Sequence, residues 1–399
     1  MASAAIEGRV GPGLIVAICF GVAALEGYDI QAFGIAAPHL APELRLNAGQ
    51  MGWAGSAAMI GMVFGAFSGG GLADRLGRRP VLAAAAAAFG AFSLLTAMAH
   101  GFELLVVARF ATGLGFGAAM PNLIAVATEI SPPGRRAATT TSMFCGLPAG
   151  GVLVSLIASQ GGAALDWRVL FLIGGGLPLL LAPVILLLLP ETRPDYAPDA
   201  DRRLLAGVLA PGKLFSTLMI WLIFGLDLLV TYLLLNWLPT LVVAKGFTAA
   251  EGAMASLWLN GASIAGALIL GRLADRVGFR WPATLMFLGL AVAMLGLARS
   301  QGLPQVLGFA GLAGFLVVGG LYVLYALAPI YYPPQIRAAG AGAAIAVGRF
   351  GSIAGPLIAG QLRAGGYSPG QVFEAMIPAS LVASAAAFLL LTLGSPYRD

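Results

Sequence analysis

The sequence predicts an all-α membrane protein, with twelve transmembrane helices in two pseudo-symmetric six-helix halves. Three observations predict it. First, 59% of the 399 residues are hydrophobic and 10% are charged, a balance that soluble domains of this length do not show. Second, apolar runs of about 20 residues recur along the whole chain, and a run of that length crosses a ~30 Å hydrocarbon core as a helix. Third, polar landmarks repeat at a constant spacing near half the chain length, which marks an internal duplication. The 56 glycines fit the same class, because small residues let helices approach where hydrophobicity cannot drive packing.

The predicted spans, in order, are residues 12–37, 51–72, 80–99, 103–128, 137–160, 168–189, 214–243, 252–272, 281–299, 304–330, 337–361 and 371–394. Most links between them are short. The exception runs from Glu191 to Lys213, where Pro194, Pro198 and a run of charged residues read as a polar linker. It divides the chain into an N-terminal half (1–190), a linker (191–213) and a C-terminal half (214–399). The first span is expected to be retained, since no small-residue cleavage site follows it. With the N-terminus in the cytoplasm, about three times as many Lys and Arg residues fall inside as outside, so both termini are expected there. Cys19 and Cys145 lie in apolar spans without metal-ligand spacing and read as buried core thiols. His39 falls in the first outer loop on this reading, and neither it nor His100 sits with a nucleophile.

The repeat is explicit. Gly70-Gly71-Leu72-Ala73-Asp74-Arg75-Leu76-Gly77-Arg78-Arg79 matches Gly271-Arg272-Leu273-Ala274-Asp275-Arg276-Val277-Gly278-Phe279-Arg280 at an offset of 201. The same offset carries Pro132-Pro133 onto Pro333-Pro334 and Glu26 onto Asp227. Two parallel halves about a central cavity are the architecture of alternating access.

Charged residues inside the spans are the functional candidates, because burying a charge there costs at least ~2.5–3.5 kcal/mol. The first span holds Glu26-Gly27-Tyr28-Asp29-Ile30-Gln31. Glu26 is ~21 Å from the start of the span, and Asp29 follows on the same helix face. Two acids so close in low dielectric cannot both ionise cheaply, which suits a proton carrier; the alternative is a pair neutralised by a basic partner. Gly27 is a candidate for loosening the helix. Arg349 lies ~18 Å into the eleventh span. Its planar fork suits a substrate carboxylate, with a fixed pairing to Asp29 or Asp227 as the alternative. Asp227, near mid-membrane in the seventh span, is either a cavity acid or the internal partner of an arginine.

The duplicated G-x-L-A-D-R-x-G-R-[RK] loop resembles the signature of the major facilitator superfamily, and the resemblance covers the whole chain. The first copy is complete; the second departs at Phe279, where the pattern has Arg. Within the superfamily, Glu26-Gly27-Tyr28-Asp29 resembles the [DE]-G-[FY]-D pattern of the aromatic acid:proton symporters. Asn236-Trp237-Leu238-Pro239-Thr240, Arg109-x-x-x-Gly113-x-Gly115 and Gly348-Arg349-Phe350-Gly351 agree. Glu26, Gln31 and Tyr325-Ala326-Leu327-Ala328-Pro329 are most similar to the hydroxyphenylpropionate branch.

The resemblance implies proton coupling through Asp29, Glu26, Asp227 and Arg109, although Arg109 reads equally as a helix-to-helix tether. It implies a substrate site around Arg349, with Tyr28, Phe33, Tyr232, Trp237, Tyr322 and Tyr325 as ring-packing walls; taken singly, each of these aromatics reads first as bundle packing or an interface anchor. Gln31, Asn122 and Asn236 would bind a ring hydroxyl or the carboxylate. Asp74, Arg75, Gly77, Arg78, Arg79, Asp275 and Arg276 would form a cytoplasmic gate, with the arginines pairing acids such as Glu129; a solvated charge run is the plainer alternative. Gly351-x-x-x-Gly355-Pro356 reads as a packing and bending device. The expectation is a proton-coupled symporter that takes up an aromatic carboxylic acid across the bacterial inner membrane. It works in the lipid bilayer as a monomer, with no cofactor, metal or nucleic acid. Transport of another organic anion, drug efflux and a transporter-like sensor are the alternatives. An enzyme is excluded by the lack of a nucleotide-binding glycine loop, a metal-ligand cluster and a paired nucleophile.

Overall fold

A computed structural model describes residues 11–129, 131, 136–162, 165–191 and 207–394. Pro132-Pro133 and most of the linker lie outside the described residues. Twelve described helices are long and apolar enough to cross a membrane. They are α1 (Pro12–Glu43), α2 (Ala48–Leu76), α3 (Arg78–Ala97), α4 (Phe102–Glu129), α5 (Thr139–Gly161), α6 (Trp167–Leu188), α7 (Pro211–Ala244), α8 (Ala249–Val277), α9 (Arg280–Arg299), α10 (Leu303–Tyr331), α11 (Arg337–Ala364) and α12 (Pro369–Leu393).

Each predicted span is one of these helices, and the largest boundary error is instructive. The first span was expected to stop near residue 37, yet α1 continues through Pro38 and Pro42 to Glu43. A proline removes one ladder bond, and a membrane helix tolerates that when neighbouring groups are satisfied. Here Leu44 N–H still reaches the Leu40 carbonyl at 3.0 Å, and Leu46 N–H reaches Ala41 at 2.9 Å. His39 is therefore half-buried on a helix, not in an outer loop. α5 breaks at Cys145, between Phe144 and Gly146. The break leaves that thiol half-buried, whereas Cys19 is fully buried as expected. α10 ends in a 3₁₀ turn, Ala328–Tyr331, at Pro329.

The chain forms two compact units, Met1–Tyr196 and Ala197–Asp399. In the first, α1 packs on α5 and α6, α2 on α4, and α3 on α4 and α6. In the second, α7 packs on α11 and α12, α8 on α10, and α9 on α10 and α12. These are the same pairings, helix for helix, six elements later.

The correspondence holds to the residue. Asn47 and Gln50 close a capping box at the start of α2, and Thr248 and Glu251 close one at the start of α8. Gly77 ends α2 at φ 94°, and Gly278 ends α8 at φ 81°. At the preceding turn, Gly246 adopts φ 101° while its counterpart Arg45 takes the left-handed region at φ 54°, at a cost of roughly 1–2 kcal/mol for a side-chain-bearing residue.

Close helix approaches repeat too. A Cβ on Gly113 would enter the Ala58 carbonyl, and one on Gly314 would enter the Leu259 carbonyl. Gly65 against Leu114 matches Gly266 against Phe315, and Gly150 against Ala24 matches Gly351 against Gly225. Every one of these pairs maps onto its partner at the offset of 201. The Gly351-Gly355 segment therefore packs α11 directly on the α7 backbone. Gly27 is likewise a close-approach position, against the backbone of Leu147, inside an unbroken α1; it does not loosen the helix.

Gly351→Val should cost at least ~1–3 kcal/mol through overpacking and lower the melting temperature of the purified protein. Gly176→Val, where a Cβ meets nothing within 4 Å, should leave it nearly unchanged.

Candidate functional site

In the first unit the polar stretch of α1 meets α3, α4 and α6. Asp29 is fully buried, at 0% exposure, and Arg109 of α4 is 1% exposed. Arg109 Nη1 donates to Asp29 Oδ2 at 2.7 Å. Ser93 of α3 donates to Asp29 Oδ1, and its hydroxyl also lies 3.3 Å from the Phe171 carbonyl of α6. The guanidinium carbon of Arg109 stands 5.2 Å from the centre of the Phe33 ring and 6.0 Å from that of Phe171. Phe33 is four residues beyond Asp29, so α1 presents both to the same arginine. Gly174 leaves room for the group: a Cβ there would lie 3.2 Å from the Tyr28 ring and 3.4 Å from Asp29 Oδ1.

The arginine that Asp29 pairs with is thus Arg109 of its own unit, and the alternative reading of Arg349 as a fixed partner of Asp29 gives way to this. The tether and proton-coupling readings of Arg109 meet in one contact. Two opposite charges at hydrogen-bond distance compensate much of each other's desolvation, and removing either partner strands the other. Glu26, Tyr28, Gln31 and Asn122 are also buried. One amide hydrogen of Asn122 goes to the Ala118 carbonyl of its own helix, at 2.7 Å.

In the second unit a different polar group gathers on α7, α10 and α11. Arg349 Nη1 donates to the Tyr232 hydroxyl at 3.1 Å. Tyr325 packs its ring 5.8 Å from Phe224 and 6.3 Å from Tyr322. Asp227 is 1% exposed, and neither of its oxygens has a hydrogen-bond partner among the described residues. No described arginine forms an ion pair or hydrogen bond with it. Asn236 donates to the Tyr232 carbonyl at 2.9 Å, and Trp237 Nε1 to the Pro356 carbonyl at 3.1 Å. Both side chains are buried and spend these donors on packing α7.

The signature loop of the first unit is held by two acids. Arg78 pairs with Glu129 at the end of α4. Glu191 accepts from the backbone N–H of Arg78 at 2.8 Å and of Arg79 at 3.4 Å. It caps the N-terminus of α3, where the helix dipole favours an anion. Asp74 is half-buried and Arg75 exposed.

The second loop is built differently. Arg78 is replaced by Phe279, which packs against the cluster of Leu270, Ala274 and Val323, and the position of Glu129 is Ile330. Asp275 and Arg276 are exposed. Both positions of the ion pair in one unit are apolar residues in the other.

Sequence reasoning missed Ser93, Phe171 and Glu191. Ser93 gave a faint signal, as one of two hydroxyls, with Thr96, in the otherwise apolar body of α3. Glu191 read only as the first residue of the linker.

Residues 19–266 match the Major Facilitator Superfamily. The chain is 42% identical over 381 residues to the 3-(3-hydroxy-phenyl)propionate transporter of Escherichia coli K12, covering 95% of this chain and 94% of that protein. It is 33% identical to the 4-hydroxybenzoate transporter PcaK of Pseudomonas aeruginosa, over 94% of this chain and 91% of that one. It is 33% identical to the gallate transporter of Pseudomonas putida, over 96% and 91%. Among solved structures, the D-xylose-proton symporter superposes with a TM-score of 0.76 at 18% identity, over 96% of this chain and 98% of that one. A bacterial homologue of the human lysosomal transporter Spinster gives a TM-score of 0.80 at 16% identity, over 97% and 98%.

Two expected outcomes follow from the ion pair and the cap. Asp29→Leu and Arg109→Leu should each destabilise the protein by about 3–5 kcal/mol, and the double variant by less than either, as a double-mutant cycle of thermal unfolding would read. Glu191→Ala should cost about 1 kcal/mol in the same assay through loss of the α3 cap.

Proposed function

The chain belongs to the Major Facilitator Superfamily, and on that premise we propose that it is a proton-coupled symporter of aromatic carboxylic acids. The substrate class is that of its relatives, which are named for hydroxyphenylpropionate, hydroxybenzoate and gallate transport. Uptake runs by alternating access across the bacterial inner membrane, with both termini cytoplasmic. The protein works as a monomer in the bilayer, in two six-helix halves (1–190 and 214–399) joined by the 191–213 linker.

The observation that carries the proton coupling is the fully buried Asp29–Arg109 pair. A carboxylate in that position has two stable states. Ionised, it holds Arg109 and accepts from Ser93. Protonated, it releases the guanidinium, which keeps the faces of Phe33 and Phe171 as neighbours. A switch between two discrete pairings is what couples a proton to a conformational change. Glu26, one turn before Asp29, and Asp227 of the second unit are further coupling acids.

Arg349 anchors the substrate carboxylate. Its guanidinium offers the planar fork that a carboxylate accepts bidentately, and Tyr232 orients it from α7. Tyr28, Phe33, Tyr322, Tyr325 and Trp237 wall the ring, with Gln31, Asn122 and Asn236 as polar contacts. The loops of Asp74, Arg75, Gly77, Arg78 and Arg79, with Glu129, and of Asp275 and Arg276 gate the cytoplasmic side.

The test is uptake of labelled 3-(3-hydroxyphenyl)propionate into proteoliposomes under an inward proton gradient. Wild-type protein should accumulate it. Asp29→Asn should abolish gradient-driven accumulation, and Arg349→Ala should cut substrate-induced thermal stabilisation to background. Accumulation that survives Asp29→Asn, or full stabilisation of Arg349→Ala, would sink the corresponding assignment.

A further inference from the structure

Asp227 and Thr231 stand one turn apart on one face of α7. They are 1% and 4% exposed, and none of their three side-chain oxygens has a hydrogen-bond partner among the described residues. Native interiors leave few polar atoms in that condition, and membrane depth makes each more costly. Three within a single turn are unspent hydrogen-bonding capacity. Of the other polar side chains of α7, Tyr232 accepts from Arg349 and Asn236 donates to its own helix, whereas Trp221 Nε1 and Thr240 Oγ1, elsewhere along it, also have no partner among the described residues. The duplication sharpens the contrast. The counterpart of Asp227 is Glu26, but that of Thr231 is Ile30, so the fold itself does not require a hydroxyl at this place.

We infer that Asp227 and Thr231 form the subsite for the ring hydroxyl of a hydroxylated aromatic acid. The inference rests on the transport reading above and deepens it, because Arg349 holds the carboxylate end of the same ligand. Tyr232, which accepts from Arg349, follows Asp227 on α7 by five residues, an axial rise of ~7.5 Å. Tyr325 of α10 packs its ring 5.8 Å from that of Phe224, one turn before Asp227, so α10 lies against this stretch of α7. The phenol O–H donates to a carboxyl oxygen of Asp227, and the phenol oxygen accepts from the Thr231 hydroxyl. An acid lacking the hydroxyl leaves both side chains unpaired, and sites that hydrogen-bond a hydroxyl discriminate through that penalty.

The test compares 3-(3-hydroxyphenyl)propionate with 3-phenylpropionate by calorimetric titration of the purified full-length protein. Wild type should bind the hydroxylated acid at least ~10-fold more tightly. Thr231→Val should weaken the hydroxylated acid selectively and bring the two within about threefold, while Thr231→Ser should keep the preference. Thr231→Ala gives the same readout if the valine variant does not fold. Equal wild-type affinities, or a valine variant that keeps the preference or weakens both acids equally, would overturn the subsite and leave the transport reading standing. A wild-type protein that binds neither acid would overturn both.

Discussion

A charge at membrane depth has to find a partner within the protein, and in the first unit that constraint is met by one contact. Asp29 and Arg109 share a hydrogen bond at 2.7 Å with essentially no exposure. Four helices arrange themselves around it. α1 supplies the acid and the Phe33 ring, α3 the Ser93 hydroxyl, α4 the arginine, and α6 the Phe171 ring and the glycine that leaves room. With both groups essentially unexposed, the contact is made in low dielectric, where opposite charges attract strongly.

The duplicated halves separate packing from chemistry. Helix pairings, capping boxes, left-handed turns and glycine approaches recur at one offset. The polar centres diverge, although a buried acid recurs at Glu26 and Asp227. Positions 29 and 109 correspond to Val230 and Ala310, while Arg349 corresponds to Pro148. The Arg78–Glu129 pair corresponds to Phe279 and Ile330. Backbone contacts tolerate little change, because a Cβ at a crossing meets main chain. Side chains away from these crossings are free to diverge, so one unit carries a buried ion pair and the other an arginine, an acid with no hydrogen-bond partner among the described residues and a cluster of phenols.

Much of this was legible in the sequence. The twelve spans, the repeat offset and the buried acids follow from hydropathy, spacing and the cost of burying charge. Pro38 misled because a proline reads as punctuation, yet in α1 it only removes one bond of a helix that goes on. The partner of Asp29 was not legible. Both Arg109 and Arg349 lie at compatible depths, and sequence depth says nothing about which helix faces which. Ser93 and Thr231 escaped notice because hydroxyls in membrane helices usually bond their own backbone, as Thr96 and Thr112 do here. Only the three-dimensional arrangement shows that these two do otherwise.

The central claim is that substrate binding and the protonation of Asp29 are linked. Calorimetric titration of an aromatic acid in buffers of different ionisation enthalpy measures the protons taken up or released on binding. The account predicts a net proton exchange for the wild-type protein near neutral pH that disappears in Asp29→Asn while binding itself persists. The same proton exchange in the wild type and in Asp29→Asn would contradict it.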